Sequence, residues 1–372
     1  MPDVVLVGGG PVGLLLAILL AQRHVDVAVL EARTEGSAHS RAIGIHPPAV
    51  RVLEAAGIAA EAIGRGVPIT HGEVLCDGRV LGSLDFAEAG AAYPFVLSLP
   101  QRETEALLRD RLKELAPDAV RRGARVMGVR QHGAGADVLL EDGSSVSASF
   151  VVGADGTRSA VRAASGIGWS PRGDRVDYVM ADFPDDTGHP ERALLFFERG
   201  GVVESFPLPQ GERRWVAMTD REWTGVTSAE LAELIAERTG MRSEPGTGVV
   251  STFSVRQHLA SRMVSGRVVL VGDAAHEISP IGGQGMNLGW LDAQMLAPAI
   301  EAALQGDHSG LDHYDRSRRH SAAIASRQAA FNMGMGKPVA GVRLRARNAL
   351  VRSLAVPPTR ALVARAFTMR WL

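Results

Sequence analysis

The stretch "DVVLVGGGPVGLLLAILLAQRHVDVAVLEAR", Asp3 to Arg33, decides the fold. An apolar, β-branched run leads into Gly8-Gly9-Gly10-Pro11, an apolar segment follows from Leu14 to Gln22, and a second Val-rich run, Val25 to Leu30, ends on Glu31. The order is strand, glycine turn, helix, strand: a βαβ unit of parallel-sheet character. The glycines of Gly8-x-Gly10-x-x-Gly13 serve three needs, which are a tight turn, backbone approach to a pyrophosphate, and close packing of the helix. The helix start then offers unpaired N–H groups and a positive dipole end to phosphate. Glu31 stands at the offset of an acid that takes an adenosine ribose. NAD and FAD both carry that ribose, so this unit alone does not choose between them.

The same stretch argues against a membrane span. Val4 to Ala21 is apolar for long enough, but the Gly-Gly-Gly-Pro turn splits it into two short pieces, and no basic segment precedes it as in a signal peptide. A length of 372 residues implies two or three domains, and a net charge of −1 gives no basic field to recruit nucleic acid. Function must therefore reside in local sites. Cys76 is the only cysteine, which excludes an intramolecular disulfide and a cysteine metal framework; a buried thiol in a reducing, cytoplasmic setting is expected, and no metal site. Lys113 and Lys337 are the only lysines, so lysine chemistry has few candidates.

Further along, "SLPQRETEALLRDRLKEL" predicts a helix with Ser98 as N-cap, Pro100 in the first turn and Gln101 closing a capping box. "GARVMGVRQHGAGADVLLEDGSSVSASFVVGADG" reads as successive strands ending in Gly153-Ala154-Asp155-Gly156. Between Val176 and Asp220 the short runs "VDYVMADF", "RALLFFER", "GVVESFPLP" and "RRWVAMTD" predict an antiparallel sheet, joined by strands around Gly72 to Leu84. A helix capped by Thr227 or Ser228 follows, and helices dominate from Leu288 onward. The expected division is a discontinuous domain of 1–71, 94–170 and 256–300, a β-sheet domain of 72–93 and 171–255, and a helical segment of 301–372. That last part, from Arg316, holds twelve Arg or Lys and no acid, which reads as solvated helix faces whose salt partners lie elsewhere in the fold.

A second glycine-rich stretch, "VLVGDAAHEISPIGGQGMNLGW", runs from Val269 to Trp290. It is a strand ending at Asp273, a corner at Pro280, and a glycine turn opening a helix. A second helix start thus faces a ligand group with an acid nearby, and one extended ligand can span both sites.

Together, Gly8-x-Gly10-x-x-Gly13 with Glu31, Gly153-Ala154-Asp155-Gly156, and Gly272-Asp273-Ala274-Ala275-His276 followed by Pro280 and Gly282 to Asn287 resemble the three fingerprints of the single-component FAD-dependent aromatic hydroxylases, the group A flavoprotein monooxygenases of the para-hydroxybenzoate hydroxylase type. The resemblance covers Asp3 to about Arg319. It implies an α/β fold with a Rossmann-like FAD-binding domain, an antiparallel-sheet substrate domain and C-terminal helices. It places Gly8, Gly10, Pro11 and Gly13 at the FAD pyrophosphate, Glu31 at the adenosine ribose, and Arg33 and Val126 along the adenosine. Arg41 and Gln101 would lie beside the flavin chain, Gln101 with its capping role as the alternative. Asp155, with Arg158, would stand between FAD and the nicotinamide, and Asp273 would hold the ribityl chain. Pro280 would fix the corner. The backbone of Gly283, Gly285, Met286 and Asn287 would face the pyrimidine edge of the flavin, where a Cβ would hold the chain off the ring. His276 reads as a packed structural histidine rather than a base.

The implied activity is NAD(P)H-driven hydroxylation of an aromatic or phenolic, or polyketide-type, small molecule through a flavin hydroperoxide. Baeyer-Villiger oxygenation or epoxidation on the same scaffold, and a flavin-dependent reductase, are the alternatives. Partners would be the aromatic substrate, molecular oxygen and NADPH or NADH, with no nucleic acid or membrane span, the protein being a monomer or homodimer. Tyr178, Met180, Phe197, Phe206 and Met218 are candidates to line the substrate site, each with ordinary sheet core as its alternative. The chain is expected to lack the thioredoxin-like C-terminal domain of some relatives. A halogenase reading fails, because the five Trp are scattered and no Lys precedes Lys113.

Overall fold

The computed structural model describes residues 1–35, 42–133, 135–173, 175–246, 248–279 and 283–369. Val4–Val7 lies at the heart of a six-stranded sheet ordered Val264–Ser265, Val268–Leu270, Phe150–Gly153, Val4–Val7, Val27–Glu31, Val120–Arg122. All neighbours are parallel except the first pair, and the four inner strands are buried and read as continuous apolar runs. The glycine turn feeds a helix, Pro11–Ala21, that starts three residues before the apolar run at Leu14. Gly10 is extended there (φ −78°, ψ −178°), and Pro11 takes the first helical position, where a missing N–H costs nothing. The helix is apolar all round because it is wedged between the sheet and the helices Gln101–Leu115 and Gln284–Leu304.

The capping box expected at Ser98 does not form. Ser98 belongs to the strand Val96–Ser98, its hydroxyl donates to the Pro207 carbonyl at 2.6 Å, and the helix begins at Gln101 with Pro100 as its cap. Thr227 does cap Ser228–Thr239 in a complete box with Glu230.

The second sheet has seven strands, ordered Ser251–Val255, Val176–Pro184, Glu212–Thr219, Gly201–Leu208, Arg192–Glu198, His71–Cys76, Arg79–Asp85. It is antiparallel apart from the Arg192–Glu198 and His71–Cys76 pair, which runs parallel because His71 comes from a distant part of the chain. Period-2 alternation splits its residues between two faces. Val179, Phe183, Phe196 and Trp215 pack beneath Ser228–Thr239 through Leu231 and Ile235. The opposite face looks toward the first sheet and the helices Ser309–Gly336, Gly341–Leu354 and Thr359–Phe367. Cys76 is buried on that side. Arginines of the acid-free segment find partners both outside it and in the chain just before it: Arg318 on Asp292, Arg319 on Asp315, Arg360 on Glu88. Among the described residues no helix is long and apolar enough to cross a membrane.

Candidate active site

A cleft of about 1010 Å³ runs from the glycine turn of the first sheet to the inner face of the second. That is the top of the range for a single small-molecule pocket, ~300–1,000 Å³, and the lining falls into two connected parts.

The first part is a groove. Gly8, Gly10, Pro11, Glu31, Arg33, Gln101 and Val126 line it. A Cβ on Gly8 would lie 2.4 Å from the Ala154 carbonyl oxygen, and one on Gly13 would lie 2.0 Å from the Gly8 oxygen, so both serve close packing. Gly13 does not face the groove. A Cβ on Gly10 would meet no protein atom within 4 Å, because it would project into the open groove where a ligand must pass. Glu31 is fixed by the Gly9 amide (2.7 Å) and by the Arg33 amide (2.9 Å) and Nε (2.8 Å). Burial raises its pKa, and the bonds from Arg33 and Gly9 outweigh that to leave it lowered, an ionised acceptor. Gln101 donates to Glu105 at 2.8 Å while lining the groove. Arg41 and Pro280 lie outside the described residues.

The groove turns at Asp273, Gly283, Gly285 and Met286. Gly283 adopts φ +66° as the cap of Gln284–Leu304, a conformation suited to glycine, and a Cβ on Gly285 would stand 3.7 Å from Asp273 Oδ1. The first-turn N–H groups of that helix have no intrahelical acceptor, and the positive dipole end lies where Gly283, Gly285 and Met286 line the cleft. Asp273 opens to the cleft within dense protein; burial raises its pKa, with His276 opposing and Glu277 adding to the rise. Asn287 does not line the cleft as expected. It is fully buried, and its side chain ties the helix to the neighbouring segment by accepting from the His46 amide (2.8 Å) and donating to Gly44 (2.8 Å) and Gly283 (2.5 Å) oxygens.

Behind the turn, His276 Nε2 meets Asp292 Oδ2 at 2.5 Å, and Arg318 Nε donates to Asp292 Oδ1 at 2.6 Å. All three are buried, and the Gly272 amide also donates to Asp292 at 3.2 Å. Burial opposes ionisation of Asp292, but His276 and Arg318 hold its pKa down to about 2. His276 thus braces the turn and is absent from the cleft lining. Asp155 and Arg158 do line it; Asp155 Oδ2 accepts from the Ala160 (2.7 Å) and Val161 (3.2 Å) amides, while burial pushes its pKa up and its Oδ1 has no hydrogen-bond partner among the described residues.

The second part is a chamber walled by the second sheet. Tyr178, Met180 and Phe206 line it as expected; Phe197 and Met218 do not. They share the inner face, but Phe197 packs under the Arg347 guanidinium, 5.6 Å from its ring, and Met218 packs with Met333, so the C-terminal helices cover both. Sequence reasoning missed Glu204, Arg214 and Val216 on the sheet, and His46, Phe86 and Phe367 opposite. Phe367 stacks on Phe86 (5.6 Å, 5°) and meets His46 edge-on at 5.8 Å. Arg214 pairs with Asp182 through Nε (2.7 Å) and Nη2 (2.8 Å). Glu204 had a signal: an acid on the otherwise apolar face that Val202, Phe206 and Leu208 form on their strand.

An extended groove with glycine approach points, a ribose-scale acid and a helix start at its bend fits a dinucleotide bearing a flat ring system at the mouth of an apolar chamber. The profile of a family described as an FAD binding domain matches residues 1–329. The chain belongs to this family, that of the FAD-dependent aromatic monooxygenases. It is 34% identical over 337 residues to the uncharacterized aromatic compound monooxygenase YhjG of Bacillus subtilis, covering 86% of this chain and 66% of that protein. Identity is 32% over 333 residues to a rifampicin monooxygenase of Streptomyces venezuelae (87% and 69%) and 35% over 326 residues to 6-methylpretetramide 4-monooxygenase of Streptomyces rimosus (82% and 56%). The chain therefore spans 56–69% of the length of these relatives. Among solved structures it is similar to p-nitrophenol 4-monooxygenase PnpA of Pseudomonas putida, with TM-score 0.86, 26% identity and coverage of 100% and 97%. The anhydrotetracycline hydroxylase OxyS of Streptomyces rimosus gives 0.82 and 30%, with coverage of 99% and 75%.

Proposed function

We propose that this chain is an FAD-dependent, NAD(P)H-driven monooxygenase that hydroxylates an aromatic, phenolic or polyketide-type small molecule. The observation that carries the reading is the meeting of a dinucleotide groove and an apolar chamber in one cleft, at the helix start Gly283 to Met286. Relatives named for rifampicin, 6-methylpretetramide and p-nitrophenol support an aromatic substrate.

Bound FAD would supply acceptance of reducing equivalents from NAD(P)H and activation of molecular oxygen. The protein contributes binding, orientation and exclusion of water. Gly8, Gly10 and Pro11 admit the pyrophosphate, with Gly13 packing behind them. Glu31 takes the adenosine ribose, and Arg33 and Val126 flank the adenosine. Gln101 lies beside the flavin chain and Asp273 holds the ribityl hydroxyls. The amides of Gly283, Gly285 and Met286 stabilise negative charge on the pyrimidine edge, held in place by Asn287. Asp155 and Arg158 stand where the nicotinamide approaches. Tyr178, Met180 and Phe206 keep the chamber dry. Residues 1–71, 94–170 and 256–300 form the FAD-binding unit, 72–93 and 171–255 the substrate unit, and 301–372 the helices that close them. A lone buried thiol suits a cytoplasmic setting.

The test is a visible spectrum of the purified protein, then NAD(P)H and oxygen consumption with and without a panel of phenols and polycyclic aromatics. A yellow protein whose NAD(P)H oxidation is stimulated by one aromatic, with one oxygen atom found in the product, is expected. Colourless protein that takes up no FAD, or oxidation that ignores every aromatic, overturns the reading.

A further inference from the structure

The inner face of the second sheet is arranged in rows across the strands. Met180 stands beside Val216, Val216 beside Glu204, and Glu204 beside Leu195. Within the cleft lining, Glu204 is therefore an acid among Met180, Val216 and, two residues along its own strand, Phe206. It is only 4% exposed, and its carboxyl has no hydrogen bond or ion pair among the described residues. The nearest row holds a cation that does not answer it: Arg214 sits diagonally across the face and gives its guanidinium to Asp182 at 2.7 and 2.8 Å. Tyr178, one row the other way, also has a buried hydroxyl without a partner among the described residues. A buried carboxyl left without a partner costs the fold and returns nothing, so a native chain that keeps one in a ligand chamber keeps it for the ligand.

We propose that Glu204 sets the substrate specificity of this site: its carboxyl exchanges two hydrogen bonds with a neutral hydroxyl on the aromatic ligand, one accepted and one donated, and it disfavours ligands that present a capped oxygen or an anion at that position. This rests on the aromatic-monooxygenase reading and names the substrate class more narrowly, as hydroxyl-bearing rings of the phenol or enol type. A hydroxyl satisfies Glu204 without bringing charge into an apolar chamber. A methyl ether can take the neutral carboxyl's proton but has none to give in return, so one of the two bonds is lost. A ring carboxylate there would bring a charge into an apolar chamber whose nearest cation, Arg214, is already engaged by Asp182, so desolvation opposes it. Burial alone pushes the Glu204 carboxyl up to about 8, in keeping with a group that no neighbouring charge relieves.

The experiment is calorimetric titration of the FAD-loaded full chain, without nicotinamide, with 1-naphthol, 1-methoxynaphthalene and 1-naphthoate, and with 2-hydroxyanthraquinone and its methyl ether as a larger pair. The wild type is expected to bind the hydroxyl member at least about tenfold more tightly than the ether or the acid. Glu204→Gln keeps a donor and an acceptor, so naphthol binding and its preference over the ether should stay within about threefold of the wild type. Glu204→Leu should bring the hydroxyl compounds down to the level of their ethers. Equal wild-type affinity for hydroxyl and ether, no binding of either hydroxyl compound, or an unchanged hydroxyl-over-ether preference in Glu204→Leu would each overturn the assignment. Since turnover is not read, these results leave the monooxygenase reading intact; a holoenzyme that oxidises NAD(P)H with no aromatic stimulation sinks that reading while the hydroxyl preference can stand.

Discussion

Replacing Glu204 with Gln should make the protein more stable in alkali, and the size of the gain follows from its surroundings. Its carboxyl rises from an ordinary 4.5 to about 8 because the chamber withholds water and supplies no compensating partner. The folded form therefore holds a proton that the unfolded chain releases above pH 4.5, so between pH 4.5 and 8 stability falls as pH rises. At ~1.4 kcal/mol per pKa unit the penalty is about 3 kcal/mol at pH 7 and at most about 5 kcal/mol above pH 8. The Glu204→Gln protein would carry no such penalty, and whatever its amide costs is independent of pH. At roughly 2 °C per kcal/mol, the difference in melting temperature between variant and wild type should grow by about 5–10 °C from pH 5 to pH 8.5. Intrinsic-fluorescence melts of both proteins, saturated with FAD at each pH, measure it directly. A difference that stays flat across that range, or that shrinks, would show that water or an internal partner solvates the carboxyl and would refute the burial argument.

The braced turn behind Asp273 gives the opposite pH behaviour. Asp292 is held down at about 2, so its contribution is complete above pH 4 and is lost as pH falls toward 2, worth about 2 kcal/mol. Arg318→Met leaves that carboxylate short of its buried partner and should cost about 3–5 kcal/mol at pH 7 in denaturant titration; a loss under 1 kcal/mol would mean the network is not structural. In the glycine turn, Gly10→Ala should leave apoprotein stability within about 1 kcal/mol, since its backbone is already extended, yet weaken FAD binding at least about tenfold by fluorescence titration. Gly13→Ala should lose stability and FAD together, because its Cβ would meet the Gly8 oxygen; a Gly10→Ala protein that binds FAD like wild type would put the pyrophosphate elsewhere. Phe367→Ala removes the ring stacked on Phe86 at the chamber wall and should raise the hydrogen peroxide formed per NAD(P)H oxidised; unchanged coupling would show that the last helix does not shield the chamber.

What the sequence disclosed was the part of the site made by backbone. Gly8 is needed because the chain packs on itself there, Gly283 because it takes a left-handed turn, and Gly10 and Gly285 line the cleft, and such needs leave a spacing in the sequence which one helix or one strand is enough to express. Glu31 is equally local, two residues from the Arg33 that fixes it. The chamber is different, since its walls come from strands and helices hundreds of residues apart. Phe367 reaches Phe86 only because the last helix folds back over the second sheet, and nothing near Phe367 in sequence announces it. Phe197 and Met218 show the converse: they lie on the inner face, but alternation cannot tell which part of that face borders the cleft and which part Arg347 and Met333 cover. The same limit explains Ser98, whose capping pattern is sound in isolation and loses to a carbonyl supplied by Pro207, 109 residues away. Local rules therefore mark the groove, while the chamber is shaped by tertiary contacts. Glu204 is the position where the two levels meet, since its apolar strand makes it conspicuous in sequence and only the fold shows that no protein group among the described residues answers it.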